Sequence, residues 1–389
     1  KDAEKRTLLH KLIWLRTIPK DIKLKIKIEE SKYNDEAIDK LTLDAIISHR
    51  KLNIQKVSLI SNKNDFTGNF SIDISKNIPI ITTNITGDKI KKRFLKNTNK
   101  ITKNGWSENL YKIPNLRSFE IKFSLNSKKV TYRNLKFNDV SILIKFQNQY
   151  FNIERFSGII NNSKTKDSAF DLQGNLSLEG LPSFNIAYKI INLPFNTLSN
   201  LILPQNFITA IINISGTATS YGSSPSMMIT QLKSQNKFKS SAISINNMNL
   251  RGLTQGIADL ATKPEIALKK PLKEIITNGS TNYKFFSGNL NFDNGVGILN
   301  EMKLESRNLK TNITGKIDLN KKYLNINAIT AFKGFYLKGK KITSINLNLP
   351  YSIAGNFDKH RSEYNLLQIE NFIEELRKKY LKKTKTKTK

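Results

Sequence analysis

No cysteine occurs anywhere in the 389 residues, which removes disulfides and thiolate metal sites outright. Histidine is nearly as scarce: His10, His49 and His360 stand far apart, with no HExxH spacing and no cysteine to complete a zinc site. No apolar run approaches the roughly 18 residues that a membrane-spanning helix needs, and no signal peptide is recognisable. A GxSxG nucleophile elbow is missing too. Gly334, Gly339 and Lys340 match most of a phosphate-binding loop, but Lys341 stands where Ser or Thr would hold magnesium, and no helical pattern follows. The adjacent carboxylates Glu29 and Glu30, or Glu374 and Glu375, fall on different faces of a strand or helix. Asp171, Asp293 and Asp318 lie beside Gly174, Gly295 and Gly315, where turns and side-chain to backbone bonding account for them. The sequence therefore predicts no enzyme and no cofactor.

Acidic residues are few beside basic ones, 31 against 64, for a net charge of +33. The excess is nearly all lysine. One reading is attraction to anionic headgroups or nucleic acid; the other is a coding bias that turns solvent-facing positions into Lys and Asn. Base stacking needs exposed aromatics beside basic residues. Phe119, Phe123 and Phe146 instead fall on an apolar face, and arginine, the usual base reader, is rare. Nucleic acid is not an expected partner.

What the chain has in quantity is alternation. Ile22, Leu24, Ile26 and Ile28 interleave with Lys23, Lys25 and Lys27, giving a strand with one oily and one charged face. The same rhythm recurs at Phe70 to Ile74, Phe119 to Leu125, Ile142 to Phe146, Leu172 to Leu178, Phe207 to Ile214, Ile313 to Leu319, Leu324 to Ala328 and Ile345 to Leu349. Turn residues separate these runs, among them Asn64-Asp65, Gly180 to Pro182 and Asp293-Asn294-Gly295. Meandering antiparallel hairpins are expected. Three segments depart from the rhythm. A short helix is predicted around Leu8, Leu12 and Leu15, ended by Pro19. A second spans 249–261, capped by Asn249, with Leu250, Leu253, Ile257 and Leu260 on one face. A third, over 365–383, carries Leu366, Ile369, Phe372, Ile373, Leu376 and Tyr380 on one side, with glutamates early and basic residues late. The predicted organisation is a helical or linker segment at 1–20, a β domain at 21–358, the amphipathic helix and a disordered basic tail at 384–389.

A sheet that is apolar on alternate residues closes into a barrel, packs as a sandwich, or curls into a groove that holds something apolar, and periodicity alone leaves all three open. The succession ISGTATSYGSSPSMMITQLKSQNKF, AISINNMNLRGLTQGIADLA, GSTNYKFFSGNLNFDNGVGILNEMKLES and LKTNITGKIDLN resembles the C-terminal region of the AsmA-like family of bacterial envelope proteins (AsmA/TamB type). Weaker similarity, in phrases such as FDLQGNLSLEGLPSF and DFTGNFSIDIS, runs from about Leu8 to Phe357. The segment LPYSIAGNFDKH departs from the family in lacking a closing proline, with Lys359 and His360 near that place.

The resemblance implies a mainly β fold: an elongated, curved antiparallel sheet forming a hydrophobic groove of the bridge-like lipid-transfer kind. It implies a periplasmic protein tethered to the inner membrane by an N-terminal helix, one that this chain does not contain. Its implied partners are phospholipids, the inner and possibly the outer membrane, and other envelope proteins, and its implied role is phospholipid movement and outer-membrane homeostasis. On this reading Ile22, Leu24, Ile26, Phe119, Ile121, Phe123, Ile142, Ile144, Ile212, Ile214, Ile345 and Leu347 line the groove, and the helix at Leu250 to Leu260 plugs or supports one end. The alternative is an envelope scaffold whose same residues form a sandwich core and which binds proteins in place of lipid.

Overall fold

The computed structural model describes residues 12–33, 36–76, 78–92, 106–111, 119–132, 135–161, 167–196, 207–263, 266–333, 335–337, 340–342 and 347–386. The chain is mainly β, as the alternation predicts. It divides into two compact units, one comprising Lys1–Ile191 with Thr217–Met228 and the other Asn192–Gly216 with Ile229–Lys389.

The first unit is built on ten strands: β1 (Ile22–Tyr33), β2 (Glu36–Ser48), β3 (Lys51–Ser61), β4 (Asp65–Asp73), β5 (Ile80–Lys92), β6 (Glu120–Tyr132), β7 (Leu135–Gln147), β8 (Tyr150–Ile160), β9 (Ser168–Ser177) and β10 (Ser183–Pro194). Each pairs with the next in sequence, and all the pairings are antiparallel except one. Short turns make this possible: Asn148 and Gln149 join β7 to β8 with both residues at positive φ, 50° and 62°, the twist that suits a two-residue hairpin. The exception is β5–β6, which pair in parallel. Parallel neighbours cannot be joined by a tight turn and need a crossover of a dozen or more residues; the segment between Lys92 and Glu120 supplies it. A uniform antiparallel meander was expected there, and the long connection is the physical reason for the difference.

Near the start of the chain, the expected helix is a short 3-10 turn, Ile13–Thr17, while Leu8 lies outside the described residues. Leu15 is fully buried against Ile72 and Ile74, with Ile47, Leu52, Phe70 and Ile81 packed around them. This turn covers one end of the sheet's apolar face.

In the second unit β12 (Lys233–Ser240), β15 (Phe285–Asp293), β16 (Val296–Glu305), β17 (Leu309–Asp318), β18 (Tyr323–Phe332), β21 (Leu347–Asn356) and β22 (Lys359–Tyr364) pair antiparallel in that order. The predicted Asn294-Gly295 turn joins β15 to β16, both residues at positive φ. A smaller antiparallel set comprises β11 (Ile208–Tyr221), β13 (Ile243–Asn246) and β14 (Ser280–Tyr283), and β19 (Phe335–Leu337) pairs with β20 (Lys340–Ile342).

Among the described residues, three helices lie wholly within this unit. The first, Leu250–Ala261, begins where predicted: Asn249 Oδ1 accepts from the Gly252 amide at 2.8 Å, and Leu250, Leu253, Ile257 and Leu260 are buried. The second, Lys269–Thr277, crosses it closely at Gly256, where a Cβ would lie 2.5 Å from Ile275 Cδ1. The C-terminal helix, Leu367–Thr386, buries Ile369, Ile373 and Leu376 and runs past the predicted end at 383.

Candidate functional site

Strand register aligns the apolar residues of the first unit into continuous rows. From β1 to β10, Ile22, Ile47, Leu52, Ile72, Ile81, Ile121, Phe146, Phe151, Leu176 and Phe184 stand opposite one another. A second row runs Leu24, Ala45, Ile54, Phe70, Thr83, Phe123, Ile144, Ile153, Gly174 and Ile186. The third runs Ile26, Leu43, Val57, Gly68, Ile85, Leu125, Ile142, Phe156, Leu172 and Tyr188. Directly paired residues share a face, and successive residues alternate faces, so all three rows lie on one side. Where the strands need an extra residue to stay in phase, they carry irregularities, as between Ile54 and Val57 in β3. The parallel joint keeps phase too: Ile81 meets Ile121, Thr83 meets Phe123 and Ile85 meets Leu125.

The opposite face is mainly polar, with Ile46, Ile60 and Leu143 as exceptions. Lys23, Lys25 and Lys27 stand on it in β1, Asn69 and Asn84 bond side chain to side chain at 2.8 Å, and Lys145 Nζ meets Glu154 at 2.5 Å.

Most of the apolar face is only half covered. Phe146 is 2% exposed, held between Phe119 at 5.9 Å and Phe151 at 4.4 Å between ring centroids. Ile121, Phe123, Ile142 and Ile144 are half-buried, and Ile22, Leu24 and Ile26 on the outermost strand stay 47%, 39% and 38% exposed. At about 4.8 Å between strands, ten strands carry the rows across about 43 Å. A sandwich core would have buried these residues to a few per cent. Monomeric proteins rarely leave so large an apolar surface open unless it binds something.

The structure thus groups part of the predicted set. Ile121, Phe123, Ile142 and Ile144 are immediate neighbours on β6 and β7, with Phe119 just before β6 packed near Phe146, while Ile22, Leu24 and Ile26 extend the same face from β1. Ile212, Ile214 and Leu347 belong to the second unit and are buried in its packing. Ile345 lies outside the described residues. Sequence reading recognised the alternation of Phe70 to Ile74 at the end of β4 but assigned no groove member to β2 to β5, leaving out Leu43, Leu52, Ile54 and Ile81.

The second unit has its own apolar space, a cavity of about 200 Å³. Its wall combines β12, β15 to β18 and β21 with Ile208, Ile243 and Ile245 from the smaller strand set and Phe207 just before β11. Beside it runs a short polar ladder: the Tyr283 hydroxyl bonds Thr311 Oγ1 at 2.8 Å, and Thr311 Oγ1 bonds Thr330 Oγ1 at 2.8 Å. Burial pushes the Tyr283 and Tyr351 phenols above their ordinary value, so both stay neutral donors.

Among the described residues no group of three or more His, Asp or Glu could hold a metal ion, and no helix is long and apolar enough to cross a membrane. No family model, no curated protein and no solved structure matches the chain.

Proposed function

We propose that this chain is a non-enzymatic lipid carrier that shields phospholipid acyl chains on the apolar face of its first unit. The observation that carries the reading is the set of three mainly apolar rows that run from β1 to β10, kept in phase by local bulges and broken only at Thr83, Gly68 and Gly174, and that stay half-open over most of their length. At about 0.8 kcal/mol per methylene, an acyl chain of roughly 15 methylenes loses on the order of 12 kcal/mol on entering water. An apolar strip lowers that cost without covalent chemistry, and the headgroup stays in solvent at its margin. The lysines of β1 give the sheet's border a positive charge that suits anionic headgroups. The resemblance to the AsmA-like family supports placing this activity in the bacterial envelope, between inner and outer membranes, where it serves outer-membrane homeostasis.

Purification from cells followed by lipid extraction and native mass spectrometry tests the reading, together with transfer of labelled phospholipid between vesicles. Co-purifying phospholipid and accelerated transfer are the expected results. A folded chain that yields no phospholipid and accelerates no transfer would instead be a β scaffold that binds proteins.

A further inference from the structure

The cavity of the second unit shares no lining residue with the open face and none with the set predicted from the sequence. We infer that it takes up a single uncharged hydrocarbon chain and excludes any headgroup. This inference rests on the lipid reading above for the class of ligand, but on different residues for the site.

Size is the first argument. An engineered apolar cavity of about 150 Å³ stays dry and binds benzene, and this one is larger, at about 200 Å³. The second is the chemistry of the wall. Its polar side chains are spoken for: Thr311 and Thr330 bond each other and Tyr283, and the Tyr351 hydroxyl bonds Ser362. No lysine or arginine lines the space, so nothing in it can offset the charge of a phosphate or carboxylate, and burying such a charge unpaired is prohibitive. The third is the way in. Phe195, Ile208, Leu290, Ile313 and Ile326 are the half-exposed members of the lining, and all are apolar, so a chain passes them without meeting a charged group. Met248 and Met302, two of the four methionines in the chain, give the wall adaptable surfaces that follow a flexible ligand.

The test uses the full chain carrying Phe123→Asp, which silences the open face, and follows fluorescence on titration with cis-parinaric acid and with its methyl ester. Acid and ester are expected to bind within about threefold of each other, because the polar end remains outside. Filling the cavity by Ala328→Phe is expected to weaken both at least tenfold. Should that variant fail to fold, Ile326→Phe at the opening is expected to slow uptake by a similar factor.

Unchanged binding in a folded cavity-filled variant overturns the inference, as does an ester that binds tenfold more weakly than the acid or competition by glycerol 3-phosphate. In the otherwise native chain, Ala328→Phe is expected to leave vesicle-to-vesicle transfer intact. If cis-parinaric acid binding disappears with Phe123→Asp alone, the cavity is not a lipid site, while the reading of the open face stands.

Discussion

Arg377 Nε donates to the main-chain carbonyl of Leu260 at 3.1 Å, across 117 residues of sequence. Its Nη2 also reaches the carbonyls of Lys263 at 2.6 Å and Ile266 at 2.9 Å, and Nη1 meets Glu374 at 2.9 Å. These carbonyls lie at and just beyond the C-terminal end of the helix Leu250–Ala261, where the helix ladder runs out; two of them also accept a backbone amide, Leu260 from Lys263 at 3.2 Å and Lys263 from Ile266 at 3.3 Å. The guanidinium adds a charged donor to each while itself only 5% exposed. Hydrogen bonds from a charged donor to buried acceptors contribute more than neutral ones. Arg377→Met is therefore expected to cost about 2–4 kcal/mol in urea unfolding, with Arg377→Lys recovering only part, since an ammonium lacks the planar fork. A loss under about 0.5 kcal/mol would mean that the latch contributes little.

Leu15 anchors the chain's start to the first unit's sheet. Its side chain is fully buried on Ile72 and Ile74, so Leu15→Ala is expected to destabilise the protein by about 2–5 kcal/mol in chemical denaturation. The exposed Ile13 next to it supplies the control: Ile13→Ala should change stability by about 0.5 kcal/mol or less.

Face parity makes the lipid proposal sharp. Ile121 and Phe123 point to the apolar side and Lys122, between them, to the other. The double substitution Ile121→Asp with Phe123→Asp is expected to slow phospholipid transfer at least tenfold, while Lys122→Ser leaves the rate within about twofold. Folded variants showing equal rates would place the lipid path elsewhere.

Acid sensitivity is expected at the β3–β4 edge. Burial works against the Asp73 charge, yet the hydroxyl and amide of Ser75 and the Lys51 ammonium at 3.2 Å outweigh it, holding the carboxyl below its ordinary 3.8. A depressed carboxyl stabilises the fold fully above its unfolded value, and that contribution disappears as pH falls through the lower folded value. The stability difference between the native chain and Asp73→Asn should stay constant from neutrality to about pH 5 and shrink below about pH 4. A constant difference down to pH 2, read from melting curves, would show that the contacts do not act through the charge.

The strands were legible because period-two alternation is a local property. Each residue of Ile22 to Ile28 or Phe119 to Leu125 announces its face from its neighbours alone. Asn249 and the Asn294-Gly295 turn were legible for the same reason, since capping and positive φ depend on one or two side chains. The helix Lys269–Thr277 was missed: Pro271 in its first turn reads as a breaker, although a first-turn proline forfeits no intrahelical bond. Parallel pairing of β5 with β6 left no trace, because it depends on where a long connection returns. The same limit explains the site. Ile212 and Ile214 carry the pattern of Ile121 and Phe123, but burial depends on what covers a face, and the sequence of a strand does not contain its cover. The cavity residues Leu299, Met302 and Ala328 were hidden in this way.

The parallel seam between β5 and β6 has a modular consequence. On either side of it stand five consecutive strands, β1–β5 and β6–β10, each set closed by local hairpins. Because Ile81 still meets Ile121 across the seam, the two sets of strands tile edge to edge without a change of phase inside one compact unit. A protein assembled on this rule can grow by appending whole blocks, its oily side lengthening by a fixed increment each time.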